Sequence, residues 1–411
     1  MLTKARKNEA RLEIIYFNFK DLQFIKNLIP KLRIKSRTFD KFFAPLIKVL
    51  KHTPTLSSRG DRPLKMTFEE QLKALVYFHL QEHKSARHLV QDMKENNFAK
   101  QNIAPDDGIS RSSFSEAINH RGLEQLQYVF ENLYKQASGV LPDAHKELGA
   151  LISLDGSLIT AVLSMFWADY RDGAKKAKAH CGFDINHGIP AQVHLTDGNG
   201  AERPFVDQIL TEGQTGVMDR GYQSHELFDL LQEQGKHFVC RIKSKTTRTI
   251  VKQHQTDEGS YIFYDALVLL GTPGQNQTQE SVRVVGYEIS GTKYYVATDR
   301  HDLTADQIAT IYKLRWSIES FFKWWKEHLK VYHLIARSEY GLMVQILGGL
   351  ITYLLMAIYC HEEFNEKVSI RRIRQLRTKI LNELFNGQDN PEPIEDNNFK
   401  EQQMKSRCAK T

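Results

Sequence analysis

Cysteine is scarce in this chain and widely scattered. Four occur in 411 residues, at Cys181, Cys240, Cys360 and Cys408, and no two form a CxxC pair. Neither a zinc knuckle nor a disulfide framework is indicated, and a reducing cytoplasm fits. The N-terminus has basic residues but no apolar core followed by a small-residue cleavage site, so no signal peptide is read. Long apolar runs are equally rare. Only Gly341 to Cys360 approaches a membrane span in length, and it contains Gln345 and the Gly348-Gly349 pair. A helix buried against a sheet is the expectation for it, with no membrane as partner. No internal repeat is found, and no tryptophan lies between Trp167 and Trp316. Acids are sparse at the start. Residues 1–60 hold four of them against fourteen Lys and Arg, a net +10 in a chain of net +7, so the remainder sums to −3. A basic end on a near-neutral body suits a polyanion, most often nucleic acid, with a solubilising arm as the alternative.

The texture then divides the chain. Residues 1–20 are a polar tail. Residues 21–140 read as a helical, basic region, interrupted by a linker from His52 to Pro63. Thr67 with Glu70 gives a capping box, and Ser110 or Ser112 could cap a short helix before a longer one that follows Gly122. Short helices with Ser and Arg at their starts resemble a helix-turn-helix in outline, and a plain helical bundle is as good a reading. After Pro142 strands take over, with a hairpin around Asn186-His187-Gly188, in a β-β-β-α-β-α order. Residues 245–298 are β-rich without a helix. Thr304 with Gln307 starts another helix. Residues 366–411 are a C-terminal helix and polar tail.

That last capped helix carries the densest chemistry. A helix turns by about 100° per residue, so positions three, seven and fourteen places on all return close to the starting direction. Arg315, Glu319 and Lys326 stand at those places after Tyr312. One carboxylate, two cations and a phenol therefore share a narrow stripe. Beside it runs an apolar one: Ile311, Leu314, Ile318, Phe321, Phe322, Trp325 and Leu329. The stripe suits a metal ligand among phosphate contacts. A solvated face with an Arg315–Glu319 pair four residues apart is the competing reading.

Two further carboxylates end apolar strands, where α/β folds commonly place catalytic groups. Asp155 follows Leu151-Ile152-Ser153-Leu154, and Asp219 follows Val217-Met218. A carboxylate beside a buried strand is costly unless a metal or hydrogen bonds compensate it. Asp155, Asp219 and Glu319 form an oxygen-only set suited to Mg²⁺ or Mn²⁺, and two such ions serve phosphodiester chemistry. Each Asp alone is as readily a turn or cap residue.

These motifs together resemble a bacterial insertion-sequence transposase of the DDE type with a ribonuclease-H-like core. More narrowly, they resemble the insertion sequence 4 type family, marked by a Y-x2-R-x3-E-x6-K signature. Tyr312, Arg315, Glu319 and Lys326 match every spacing, beside Ser153-Leu154-Asp155-Gly156-Ser157 and Met218-Asp219-Arg220-Gly221-Tyr222. The likeness covers roughly residues 65–365, and the signature with two placed aspartates is far more specific than any piece alone.

The resemblance implies an α/β fold: a ribonuclease-H-like mixed sheet flanked by helices, with a β-rich insertion and an all-α N-terminal region. The catalytic core would occupy 141–244 and 299–365, the insertion 245–298, and the DNA-binding region 21–140. Asp155, Asp219 and Glu319 would be catalytic and would hold two ions, Mg²⁺ or Mn²⁺. Tyr312, Arg315 and Lys326 would grip phosphates near a distorted or flipped nucleotide, with Tyr294 or Tyr295 as the stacking aromatic from the insertion. Double-stranded DNA, as element ends and as target, is the implied partner, bound by a homodimer on paired ends. Alternatives are a non-catalytic DNA-binding repressor and a ribonuclease-H-like nuclease without strand transfer. From position, Arg241 and Lys243 could touch DNA, and Lys175, Lys176, Arg220 and Arg248 could line a phosphate track. His180, His187 and His194 read as structural, and Trp316, Trp324 and Trp325 as core or interface anchors.

Overall fold

The computed structural model describes residues 37–56, 64–171, 173–329 and 333–386. The polar tail 1–20, residues 21–36 of the basic region, part of the linker and the stretch from 387 onward lie outside the described residues.

Among the described residues six helices come first: α1 (Arg37–Leu50), α2 (Phe68–Leu80), α3 (Ala86–Glu95), α4 (Asn97–Asn102), α5 (Arg111–His120) and α6 (Leu123–Val140). Thr67 caps α2 and Glu70 returns the bond, so the capping box forms as its spacing implies. Ser110 caps α5 by accepting from the Ser113 amide. Gly122 enters α6 at φ +86°, a backbone state that glycine adopts without penalty.

Strands follow: β1 (Leu151–Thr160), β2 (Asp169–Arg171), β3 (Ala174–Asp184), β4 (Ile189–Asp197), then α7 (Pro204–Ile209), β5 (Thr215–Met218), α8 (His225–Glu233) and β6 (His237–Arg241). Next come β7 (Arg248–Gln253), β8 (Ile262–Leu270), β9 (Val282–Ile289) and β10 (Thr292–Thr298). All ten join one sheet, in the order β3-β1-β5-β6-β10-β9-β8-β7, with β2 and β4 both on the free flank of β3. β1, β3 and β4 run antiparallel as a meander, whereas β5 and β6 run parallel to β1. Three antiparallel strands followed by two parallel ones, in the order 3-2-1-4-5, form the mixed ribonuclease-H-like sheet. The β-rich segment 245–298 extends that sheet, because β10 pairs antiparallel with β6.

Four helices are the last elements among the described residues: α9 (Ala305–Leu314), α10 (Trp316–His328), α11 (Glu339–Phe364) and α12 (Ile370–Asn386). The apolar run predicted as a buried helix is α11, which packs on α6, α2, α5 and α1 and on β4. Its Gly348 faces α2 so closely that an added Cβ would lie 2.9 Å from the Leu75 Cβ. The sheet has two dressed faces. Leu151, Val217, Val239 and Val296 pack with Ile308 and Ile311 of α9. Ile152, Leu154, Met218 and Cys240 pack with Val206 of α7 and Phe228 of α8.

The single helix that the stripe implied is two helices. Arg315 separates α9 from α10. The Arg315 amide bonds the Tyr312 carbonyl, and the Ile318 amide bonds the Arg315 carbonyl, both three residues back. The Ser317 hydroxyl takes the Leu314 carbonyl (2.8 Å), and the Ser153 hydroxyl reaches the Arg315 carbonyl (3.4 Å). Side chains that occupy helix carbonyls tighten and kink a helix at that point.

Candidate active site

Side chains alternate along a strand, so the face that each residue meets follows from its register. Leu151 and Ser153 of β1 point toward α9 and α10, and Asp155 follows them at the same period. Val217 of β5 points the same way, two residues before Asp219. Val239 of β6 and Val296 of β10 do likewise, and bring Arg241 and Tyr294 to that face. Tyr295 points to the other face, where it stacks with Arg248 (4.3 Å) and lies edge-on to Phe263. Tyr294 and Tyr295 therefore do not serve one surface.

Arg315 is the hub of the shared face. It is 9% exposed, and its guanidinium bonds Glu319 while lying 3.9 Å from Asp155 Oδ2. Burial disfavours its charge, but the Glu319 bond, with Tyr312 and Asp155 close by, holds its pKa above the ordinary value. The stripe is thus not a solvated face: Tyr312 is 6% exposed. Its ring lies 5.9 Å from the Arg315 guanidinium and 6.3 Å from Tyr294, which in turn carries Arg241 at 4.7 Å. Burial lowers the Lys326 amine, Asp155 opposes that shift and Lys176 adds to it, so Lys326 and Lys176 also border the site.

Asp155 carries the electrostatic strain. Burial pushes its carboxyl up to about 6; the Gly156 amide and Arg315 pull it down, while Glu202 and Asp219 push it further up. The Asp219 side chain accepts from the Gly221 amide (2.7 Å) and so fixes the turn that follows β5. Among the described residues, no group of three or more His, Cys, Asp or Glu stands in a metal-holding arrangement. The chemistry of the donors nonetheless fits a hard cation. They are all oxygens, and the buried carboxyl of Asp155 is under-compensated by the charges around it.

Glu202 has no motif to mark it and went unread in the sequence. It precedes α7, lies on the opposite face of β1, and bonds Lys178 of β3 (3.1 Å). Its Oε1 would stand 2.7 Å from a Cβ at Gly156, so a larger residue beside Asp155 would push the Glu202 side chain aside. Burial raises the pKa of the Tyr222 hydroxyl, from the second aspartate motif, and the nearby Glu202, Asp155 and Asp219 raise it further. Only the three-dimensional register of Lys178 reveals the Glu202 pairing.

The remaining candidates separate. Arg220 and Lys243 line an open polar cleft of about 1510 Å³ beside Asp219, with Arg203. Arg248 belongs to the opposite face with Tyr295. Lys175 donates to the Met165 carbonyl (3.1 Å). His180 and His194 pair across β3 and β4 against Phe205, and His187 bonds Asp184 (2.8 Å), all structural placements. Trp325 is a core residue, Trp324 packs edge-on to Tyr353, and Trp316 is 63% exposed.

A probable transposase for insertion sequence element IS5377 of Geobacillus stearothermophilus is 28% identical over 230 residues, 54% of this chain and 58% of the relative. A putative transposase for insertion sequence element IS4SA of Synechocystis is 26% identical over 258 residues, 60% of this chain and 71% of the relative. A putative transposase of Sinorhizobium fredii is 27% identical over 198 residues, 47% of this chain and 56% of the relative. The chain thus spans little more than half the length of two of these three relatives. A piggyBac transposase synaptic complex with hairpin DNA superposes with a TM-score of 0.42 at 11% identity, over 88% of this chain and 86% of that one, too loosely to add to the strand-order argument. The transposase DDE domain family matches residues 148–355, from the 3₁₀ turn before β1 to the middle of α11, half of the sequence. By that match the chain belongs to the transposase DDE domain family.

Proposed function

We propose that the protein is a DNA transposase of the insertion sequence 4 type. It binds the terminal inverted repeats of its element, cuts the ends by metal-dependent phosphodiester hydrolysis and joins the 3′-hydroxyls to target DNA by cut-and-paste. Asp155, Asp219 and Glu319 are the catalytic carboxylates and would hold two divalent cations, Mg²⁺ or Mn²⁺. Such ions, when bound, polarise the attacking oxygen and offset charge on the leaving one.

The observation that carries the reading is the Arg315 link between Asp155 on β1 and Glu319 on α10. It joins the first and third carboxylates of the motif, which stand at opposite ends of the family-matched region. Arg315 holds both carboxylates toward one face, and its fork can then pass to a substrate phosphate, which it fits bidentately. Tyr312 and Lys326 flank that position. Arg241 and Tyr294 continue the grip along β6 and β10, with Tyr294 offering a ring face. The helical region 21–140 reads the terminal repeat, and two copies assemble on paired ends.

A strand-transfer assay on labelled terminal-repeat DNA tests the assignment. Asp155→Ala and Glu319→Ala each abolish Mg²⁺-dependent cleavage and leave end binding largely intact. Full cleavage by either variant would sink the metal-site assignment, and cleavage without end joining by the unaltered protein would make it a plain nuclease.

A further inference from the structure

From Ile370 to Asn382 the sequence has five cations, Arg371, Arg372, Arg374, Arg377 and Lys379, and no acid. α12 buries Ile373, Leu376 and Ile380 on one stripe and packs by it against α1 and α4. Two of the cations are used internally. Arg372 pairs with Glu366 (2.7 Å), and Arg377 pairs with Glu82 (2.9 Å) and donates to the Leu80 carbonyl. The other three, Arg371, Arg374 and Lys379, are exposed, and none has an ion pair with a carboxylate among the described residues. Lys379 stands 5.9 Å from the Phe364 ring centre.

This arrangement is unfavourable for an isolated helix. Arg371 and Arg374 lie three residues apart on one face, where like charges repel. Both stand in the first turns, where the helix dipole disfavours positive charge. A helix that served only to cover α1 and α4 would gain from acids at these positions. A polyanion laid along the face removes both penalties and releases its own counterions. The helices beneath carry further exposed cations, Lys48 on α1 and Lys100 on α4.

We propose that the outer face of α12, through Arg371, Arg374 and Lys379, docks on the phosphate backbone of the duplex at the element's ends. The inference rests on the transposase reading for its ligand, but on no catalytic residue. The surface carries no base readout: it contributes affinity, and sequence is read elsewhere.

The test is equilibrium binding of the full chain to labelled duplex carrying the terminal repeat, across a series of salt concentrations. The triple variant Arg371→Gln/Arg374→Gln/Lys379→Gln should flatten the slope of log K against log salt by about 2–3, since each lost phosphate contact removes about 0.9. At about 0.1 M salt it should bind roughly 10- to 100-fold more weakly. A companion variant, Arg371→Lys/Arg374→Lys, keeps the charge and should keep the slope, which separates charge loss from altered folding. Unchanged slope and affinity in the triple variant overturn the proposal. So does a loss confined to capture of target DNA with end binding intact. If the unaltered chain fails to bind the terminal-repeat duplex at all, both this surface and the transposase reading fall. If it binds and cleaves while the triple variant matches it, only the surface falls.

Discussion

Arg315 shows how much a single side chain decides here. It is buried, its Nε has no hydrogen-bond partner among the described residues, and its two outer nitrogens face two carboxylates from different elements. A lysine offers one point charge where arginine offers a planar fork. Arg315→Lys should therefore hold Glu319 or Asp155, not both, and lower strand transfer by about 10²-fold or more, the loss seen when a positioned phosphate or oxyanion donor is removed. Normal transfer by this variant would show that simple charge suffices. Arg315 was legible in the sequence because it sits at fixed spacing from Glu319. Glu202 was not, since its significance lies in what it touches, Lys178 and the space over Gly156, and neither is near it in sequence. Tyr294 and Tyr295 were read together, yet strand alternation sends them to opposite faces.

At the scale of elements, α11 is held by a notch. Gly348 lets its backbone approach Leu75 of α2, and the neighbouring Gly349 admits the His79 ring and Trp325 within 3.3 Å of where a Cβ would stand. Gly348→Ala should overpack this crossing and cost about 1–3 kcal/mol, read as a lowered urea midpoint. A gain in stability, as expected for Gly→Ala in an open helix, would show that α2 yields easily. The two-glycine interruption was visible in the sequence as a reason to doubt a membrane span, but its partner was not. The kink at Arg315 was likewise hidden. Periodicity ran straight through it, because the bonds that tighten it come from Ser317 and from Ser153 on a distant strand.

At the scale of the whole molecule, a buried histidine where α2 meets the end of α10 and α11 should shape the response to acid. His79 is fully buried, with its ring nitrogens against the carbonyls of Leu329 (2.7 Å) and Gln345 (3.0 Å). Burial pushes its pKa down to about 4 although both carbonyls oppose the shift. The unfolded chain, with an ordinary histidine near pH 6.5, thus binds more protons than the folded one between these values. Stability contributed by neutral His79 is complete above about pH 6.5 and is lost as pH falls toward about 4. His79→Gln should flatten that acid limb of the unfolding profile; an unchanged limb would assign it to other groups. The order of strands was largely legible, and so was their pairing into a mixed sheet. What the sequence concealed was that the stretch from Arg248 to Thr298 does not stand apart but continues the same sheet through β10 and β6. That continuity has a consequence in time. Asp155 and Asp219 leave the ribosome well before Glu319, because the whole β-rich stretch is made between Asp219 and Glu319. The delay is about 5 to 20 seconds at ordinary rates of synthesis. Every nascent chain passes through that interval with Asp155 and Asp219 made and Glu319 still unwritten, so the face that Arg315 organises is assembled only after the β-rich stretch has been made.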